Sequence, residues 1–92
     1  MLLPDKVKEI DEKMSLPNRP EAWQHVYDKV YSMYKDSLIG DVMKARYILG
    51  QKVTFTCNDL GIGQDLYFKY RTKIINAFTA GLIQEGVLKF YD

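Results

Sequence analysis

The sequence predicts a single small α+β domain in which helices dominate. Three observations lead to this prediction. A chain of 92 residues is the size of one domain. Apolar side chains recur at helical spacing over most of the chain. Two short stretches, 52–57 and 82–91, are instead rich in β-branched, aromatic and other apolar residues, which is typical of strands.

The N-terminal segment predicts a helix that is separate from the rest of the chain. Apolar residues recur at helical spacing over 5–16, and charged residues fill the other face. These apolar residues are Val7, Ile10 and Met14. The Pro-Asn-Arg-Pro sequence at 17–20 ends the helix and resembles a hinge. We therefore divide the chain into an N-terminal helical arm, 1–19, and a main domain, 20–92.

A second helix begins near Pro20 and carries an aromatic stripe. Aromatic and apolar residues follow one another three or four positions apart from Trp23 to Leu38. A third helix is expected over about 41–49, with Gly50 as its C-terminal cap. The stripe has two interpretations, the core of the domain or a seam with a second subunit or a partner, where Trp and Tyr are enriched. The interface candidates are Trp23, Tyr27, Tyr31 and Tyr34.

The C-terminal half predicts alternating strands and helices. Residues 52–57 alternate in period two and predict a short strand. Asn58 and Asp59 then offer caps for a helical turn at 58–62. A long helix follows over 64–80, and Gly81 is expected to end it. The remaining residues, 82–91, read as a strand, a turn and a second strand.

This order of elements resembles a winged helix-turn-helix domain over residues 52–92. The segment Val53–Leu60 looks like the family's first strand and the start of its first motif helix. The segment Ala80–Ile83 is similar to the step that leaves the recognition helix and begins the wing. The resemblance implies a winged-helix-like domain with a small two- or three-stranded sheet. It also implies DNA binding and transcription regulation through the helix at 64–80.

The charges of that helix agree with DNA binding. Segment 66–80 contains three cations and no acid, whereas the whole chain has a net charge of only +1. Lys69, Lys73 and Asn76 share one helical face, and such residues contact phosphates and adenine in the major groove. The candidate contacts with double-stranded DNA are Tyr67, Lys69, Tyr70, Arg71, Thr72, Lys73 and Asn76, with Lys89 from the wing. One subunit with so few cations would bind DNA phosphates weakly. A homodimer, which doubles the number of cations, is therefore expected.

The sequence also bears on two function classes other than DNA binding. The near-neutral charge and seven tyrosines suit a protein-interaction module that binds or inhibits a partner without contacting DNA. An enzyme is not expected, because no catalytic motif is present. Gly61-Ile62-Gly63 lacks the third glycine of a dinucleotide fingerprint, since Leu66 occupies that position.

The sequence predicts neither a metal, nor a cofactor, nor a membrane anchor. One cysteine, Cys57, and one histidine, His25, are too few for a usual zinc site. A lone cysteine cannot form an intrachain disulfide, which fits a reducing compartment. No apolar run approaches the roughly 20 residues needed to span a bilayer, and no signal peptide is apparent. A cytoplasmic location is therefore expected.

Overall fold

The computed structural model describes residues 4–88, and these fold into a bundle of helices. A π-helical segment, named π1 here, directly continues the third helix. The elements are α1 (Pro4–Met14), α2 (Glu21–Tyr34), α3 (Leu38–Met43), π1 (Lys44–Ile48), α4 (Val53–Leu60) and α5 (Gln64–Gln84).

The predicted α+β class, a winged-helix-like domain with a small sheet, is wrong, because residues 4–88 form a helical bundle and contain no strand. Residues 53–57 of the predicted strand and residues 58–60 of the helical turn expected after it form one helix, α4, with Lys52 as its N-cap and Gly61 as its C-cap. Thr56 and Cys57 are buried there, and Val53 and Leu60 pack against the core at positions i and i+7. The period of 3.6 thus explains the burial better than the period of two. Burial in the tertiary structure overrides the β propensity of Val and Thr.

The prediction of a C-terminal hairpin over 82–91 is also wrong for residues 82–88, the part that the structure describes. Helix α5 continues past Gly81 to Gln84, so Leu82 and Ile83 form its last turn instead of a strand. Gly81 lies inside the helix, at a position where α2 passes close to α5. A Cβ atom at this position would lie 2.8 Å from Cγ1 of Val26. A turn follows at Glu85 and Gly86, as expected, and residues 89–92, including Lys89, lie outside the described part of the chain.

Helix α5 lies at the centre of the bundle, and α1, α2, α3 and α4 pack against it. Its buried side chains are Tyr67, Ile74, Ile75, Phe78 and Leu82. The aromatic stripe of α2 contributes to the same core. The ring of Tyr27 lies 6.1 Å from Phe78 and 6.4 Å from Tyr47, measured between centroids. Trp23 and Tyr27 are therefore core residues of this chain.

Helix α1 belongs to this core as well. Ile10 and Met14 are buried with the residues of α2 and α5. Arg19, in the proline-rich connection, donates hydrogen bonds to the backbone carbonyl of Met14 at 2.9 Å and to that of Tyr47 at 2.8 Å. Arg19 thus holds the connection that was predicted to be a hinge in place, through hydrogen bonds to the ends of α1 and π1. Helix α1 packs on the core of its own chain.

The middle of the chain follows the prediction with a shifted boundary. The third helix begins at Leu38 instead of about 41, because Ser37 caps it by accepting a hydrogen bond from the Gly40 amide at 3.3 Å. The π geometry of π1 ends with the Leu49 amide donating to the Lys44 carbonyl. Gly50 follows with a positive φ of 64°, as expected of a glycine after a helix.

The close approach at Gly81 predicts an effect opposite to helix propensity. Propensity alone makes Gly81→Ala stabilising by about 1 kcal/mol. We expect instead a loss of about 1 kcal/mol in the free energy of unfolding, because the added methyl overlaps Val26. Urea denaturation measures this, and Ala80→Gly in the same helix is the control for propensity. Stabilisation by Gly81→Ala would contradict the packing of α2 on α5.

Candidate functional site

One buried carboxylate joins three helical elements. The side chain of Asp11, on α1, is 8% exposed. Its Oδ1 accepts a hydrogen bond from the Tyr47 hydroxyl at 2.6 Å. Its Oδ2 accepts from Nη2 of Arg46 at 2.7 Å and from Nη2 of Arg71 at 2.6 Å. We call these four residues the Asp11 cluster, and they connect α1, π1 and α5.

The local sequence explains how the cluster forms. Asp11 occupies position i+4 of the apolar stripe of α1 that contains Val7, so its side chain faces the bundle. Arg46 and Tyr47 are consecutive residues of π1. A π-helical turn contains more residues than an α-helical one, so consecutive side chains differ less in direction. Both side chains reach the same carboxylate.

The cluster holds its members in fixed charge states. Burial by itself would raise the pKa of the Asp11 carboxyl, but hydrogen bonds from Arg46 and Tyr47 and the nearby guanidinium charges hold it below its ordinary value of 3.8. Burial and the neighbouring carboxylate raise the pKa of the Tyr47 hydroxyl, so it remains a donor. The cluster thus contains one carboxylate and two guanidinium groups, a net charge of +1.

Several donors beside the cluster have no acceptor among the described residues. These buried atoms are Nε of Arg46, Nε of Arg71 and the hydroxyl of Tyr67. The guanidinium carbon of Arg71 lies 5.8 Å from the centroid of the Tyr67 ring and 5.7 Å from that of Phe68. The hydrogen-bonding capacity of the two arginines therefore exceeds what Asp11 uses.

All three arginines of the chain have partners inside the protein. Arg46 and Arg71 bind Asp11. Arg19 binds two backbone carbonyls and the Gln24 side chain, and its guanidinium lies 4.7 Å from the Tyr27 ring centroid. Arginine is the side chain best suited to bidentate contacts with bases and phosphates. The arginines here instead stabilise the fold.

The predicted DNA contacts separate into buried and exposed groups. Tyr67 is 0% exposed, Arg71 is bound to Asp11 and Tyr70 is half-buried. Lys69, Thr72, Lys73 and Asn76 are exposed and lie on one side of α5. Phe68, which is not among the predicted contacts, is 46% exposed on the same side. We call Phe68, Lys69, Thr72, Lys73 and Asn76 the α5 outer face.

A shallow groove of about 270 Å³ runs between α1 and the edge of this face. Its lining combines apolar, polar and cationic side chains. They are Val7, Phe68, Arg71, Thr72, Ile75 and Asn76. The groove therefore connects the α5 outer face with the Asp11 cluster through Arg71.

The predicted interface residues lie in and at the edge of the core. Trp23 and Tyr27 are buried, and Tyr31 and Tyr34 are half-buried. The Tyr31 ring stacks on Tyr27 with centroids 6.0 Å apart. Of these four predicted interface residues, only Tyr31 and Tyr34 have side-chain surface that a partner could contact.

The central residue of the site, Asp11, is not among the predicted site residues, although the sequence contains a clue to it. Asp11 is an acid within the apolar stripe formed by Val7, Ile10 and Met14, where burial requires a partner. The partners could not be identified from spacing, since Arg46 and Arg71 are 35 and 60 positions away.

Two other findings concern metals and membranes. Residues 4–88 contain no group of three or more His, Cys, Asp or Glu side chains that could bind a metal ion. Within the same range, no helix is long and apolar enough to cross a membrane. Cys57 is a buried free thiol. His25 lies on the surface, with its Nε2 3.1 Å from Oε1 of Glu85.

In comparisons with known proteins, no family model matched the chain, and neither a curated protein nor a solved structure was significantly similar to it.

The buried carboxylate predicts a large and specific loss of stability on neutralisation. We expect Asp11→Asn to lower the free energy of unfolding by about 3 kcal/mol at neutral pH, because two guanidinium groups lose their counter-charge. The control is Glu12→Gln, which removes an exposed partner of Lys8 and should change stability by less than about 0.5 kcal/mol. Equal effects of the two substitutions in urea denaturation would contradict the cluster.

The difference in the free energy of unfolding between the wild type and Asp11→Asn is expected to depend on pH. Because the pKa of Asp11 is lower in the folded state, its stabilisation is complete above its ordinary value of 3.8 and is lost as pH falls through the folded value. The difference in stability between wild type and Asp11→Asn should therefore shrink below about pH 4.

Proposed function

We propose that the protein is a small helical interaction module that binds a partner protein through the α5 outer face. The observation that carries this proposal is the composition of the face. An exposed aromatic ring, Phe68, lies on the same side of α5 as Lys69 and Lys73, with Thr72 and Asn76 as uncharged hydrogen-bonding groups. Exposed aromatic side chains surrounded by polar groups are typical of protein interfaces.

The chemistry of the face defines the partner. Two lysines without an acid between them favour Asp or Glu on the partner. Phe68 and the apolar walls of the groove, Val7 and Ile75, favour an apolar side chain next to those acids. A partner segment with this composition is an acidic amphipathic segment.

Binding to double-stranded DNA is the second candidate, and one observation favours it. Four of its predicted contacts, Lys69, Thr72, Lys73 and Asn76, are exposed on one side of one helix. Two observations weigh against it. The face contains only two cations, which implies weak and salt-sensitive binding. The arginines that would strengthen it are held by internal partners.

Selection from a random peptide library displayed on phage tests the proposal. We expect the enriched peptides to combine acidic and apolar residues. Their affinity should fall at least tenfold on Phe68→Ser and on the double substitution of Lys69 and Lys73 by Glu, since these remove the ring and the attractive charges.

Matched controls separate the site from general surface effects. Phe55→Ser removes an even more exposed ring on α4, and the substitution of Lys29 and Lys35 by Glu makes the same charge change around α2. Neither control should alter peptide binding. Failure to enrich any peptide, or equal losses in site and control variants, would overturn the proposal. Binding to random duplex DNA that weakens with salt and disappears on the lysine substitutions would favour the second candidate instead.

A further inference from the structure

The Asp11 cluster has more positive charge and more hydrogen-bond donors than its own carboxylate uses. Two guanidinium groups share a single oxygen of Asp11, its Oδ2. The Nε atoms of Arg46 and Arg71, together with the Tyr67 hydroxyl, have no acceptor within residues 4–88. A surplus of one positive charge and several free donors is the chemistry of an anion site.

The groove between α1 and the α5 outer face reaches the Asp11 cluster at Arg71. Arg71 lines the groove, and 19% of its side chain remains exposed. Its guanidinium therefore lies at the boundary between the buried cluster and the surface. Val7, Phe68 and Ile75 form the apolar part of the lining, and Thr72 and Asn76 supply side-chain hydrogen-bonding groups.

We infer that this groove binds a carboxylate attached to an apolar group, with the carboxylate on Arg71 and the apolar group against Phe68, Val7 and Ile75. We assign this carboxylate to an Asp or Glu side chain of the partner segment. In this respect the inference rests on the proposed function. The acid of the partner then completes the cluster as a second counter-ion.

Charge balance selects a carboxylate over a phosphate. The cluster carries a net charge of +1, so one carboxylate neutralises it. A phosphate with a charge near −2 would leave a net negative charge beside the Asp11 carboxylate. The planar guanidinium fork also matches the two oxygens of a carboxylate.

The Nε–H groups of the three arginines provide the test in the intact protein. Their NMR signals are followed while sodium acetate or sodium hexanoate is added, with sodium chloride at equal concentration as the reference. We expect saturable shifts at Arg71 and Arg46. Arg19 should not shift, because its Nε already donates to the Met14 carbonyl. Hexanoate should bind about tenfold more tightly than acetate, since its methylenes leave water in the groove.

Two exposed phenylalanines separate groove binding from general effects of the salt. Phe68→Ala should abolish the advantage of hexanoate over acetate, whereas Phe55→Ala, on α4 and outside the groove lining, should preserve it. Equal shifts with chloride, equal shifts at Arg19, or an unchanged advantage in Phe68→Ala would overturn the inference.

The outcomes also distinguish this inference from the proposed function. If peptides are selected but acetate and hexanoate leave Arg71 unchanged, the module stands and the carboxylate site is wrong. If hexanoate shifts Arg71 and no peptide is selected, the carboxylate site stands for a free organic acid and the assignment to a partner protein is wrong.

Discussion

The carboxylate of Asp11 is the interaction on which the rest of the molecule depends. It is buried, it accepts three hydrogen bonds, and its partners come from two other elements, π1 and α5. Helix α1 has only 11 residues, a length that is marginal for an isolated helix. Its stability in this protein therefore comes from Asp11 and from the burial of Ile10 and Met14 around it.

The same interaction limits which cationic side chains of α5 are exposed on the surface. Since Arg71 is bound to Asp11, the exposed cations of α5 are Lys69 and Lys73, and the Phe68 ring lies on the same side of the helix. This combination is the reason that we propose an acidic, partly apolar protein segment as the partner in preference to DNA. Arg71 has both roles, because it stabilises the cluster and lines the groove. The proposed binding site and the buried Asp11 cluster thus share one side chain, Arg71.

Periodicity predicted the long helices well, because α1, α2 and α5 each bury one continuous side. It failed where local preference and tertiary packing disagree. The residues of α4 are good strand formers, yet Thr56 and Cys57 are buried at helical spacing. Gly81 is a usual helix end, yet here it allows Val26 to approach. The α5 outer face was predicted in part through Lys69 and Lys73, but the pairing of Arg71 with an acid 60 residues away depends on the fold itself.

Native-state hydrogen exchange of the α1 amides tests the central claim most directly. If Asp11 makes α1 an integral part of the bundle, the amides at the C-terminal end of α1 should exchange with the same opening free energy as the core amides of α5, that of global unfolding. In Asp11→Asn, the α1 amides should exchange by a separate opening of lower free energy. Exchange of α1 in the wild type that is much faster than that of α5, and unaffected by Asp11→Asn, would show a loosely attached arm and contradict the account.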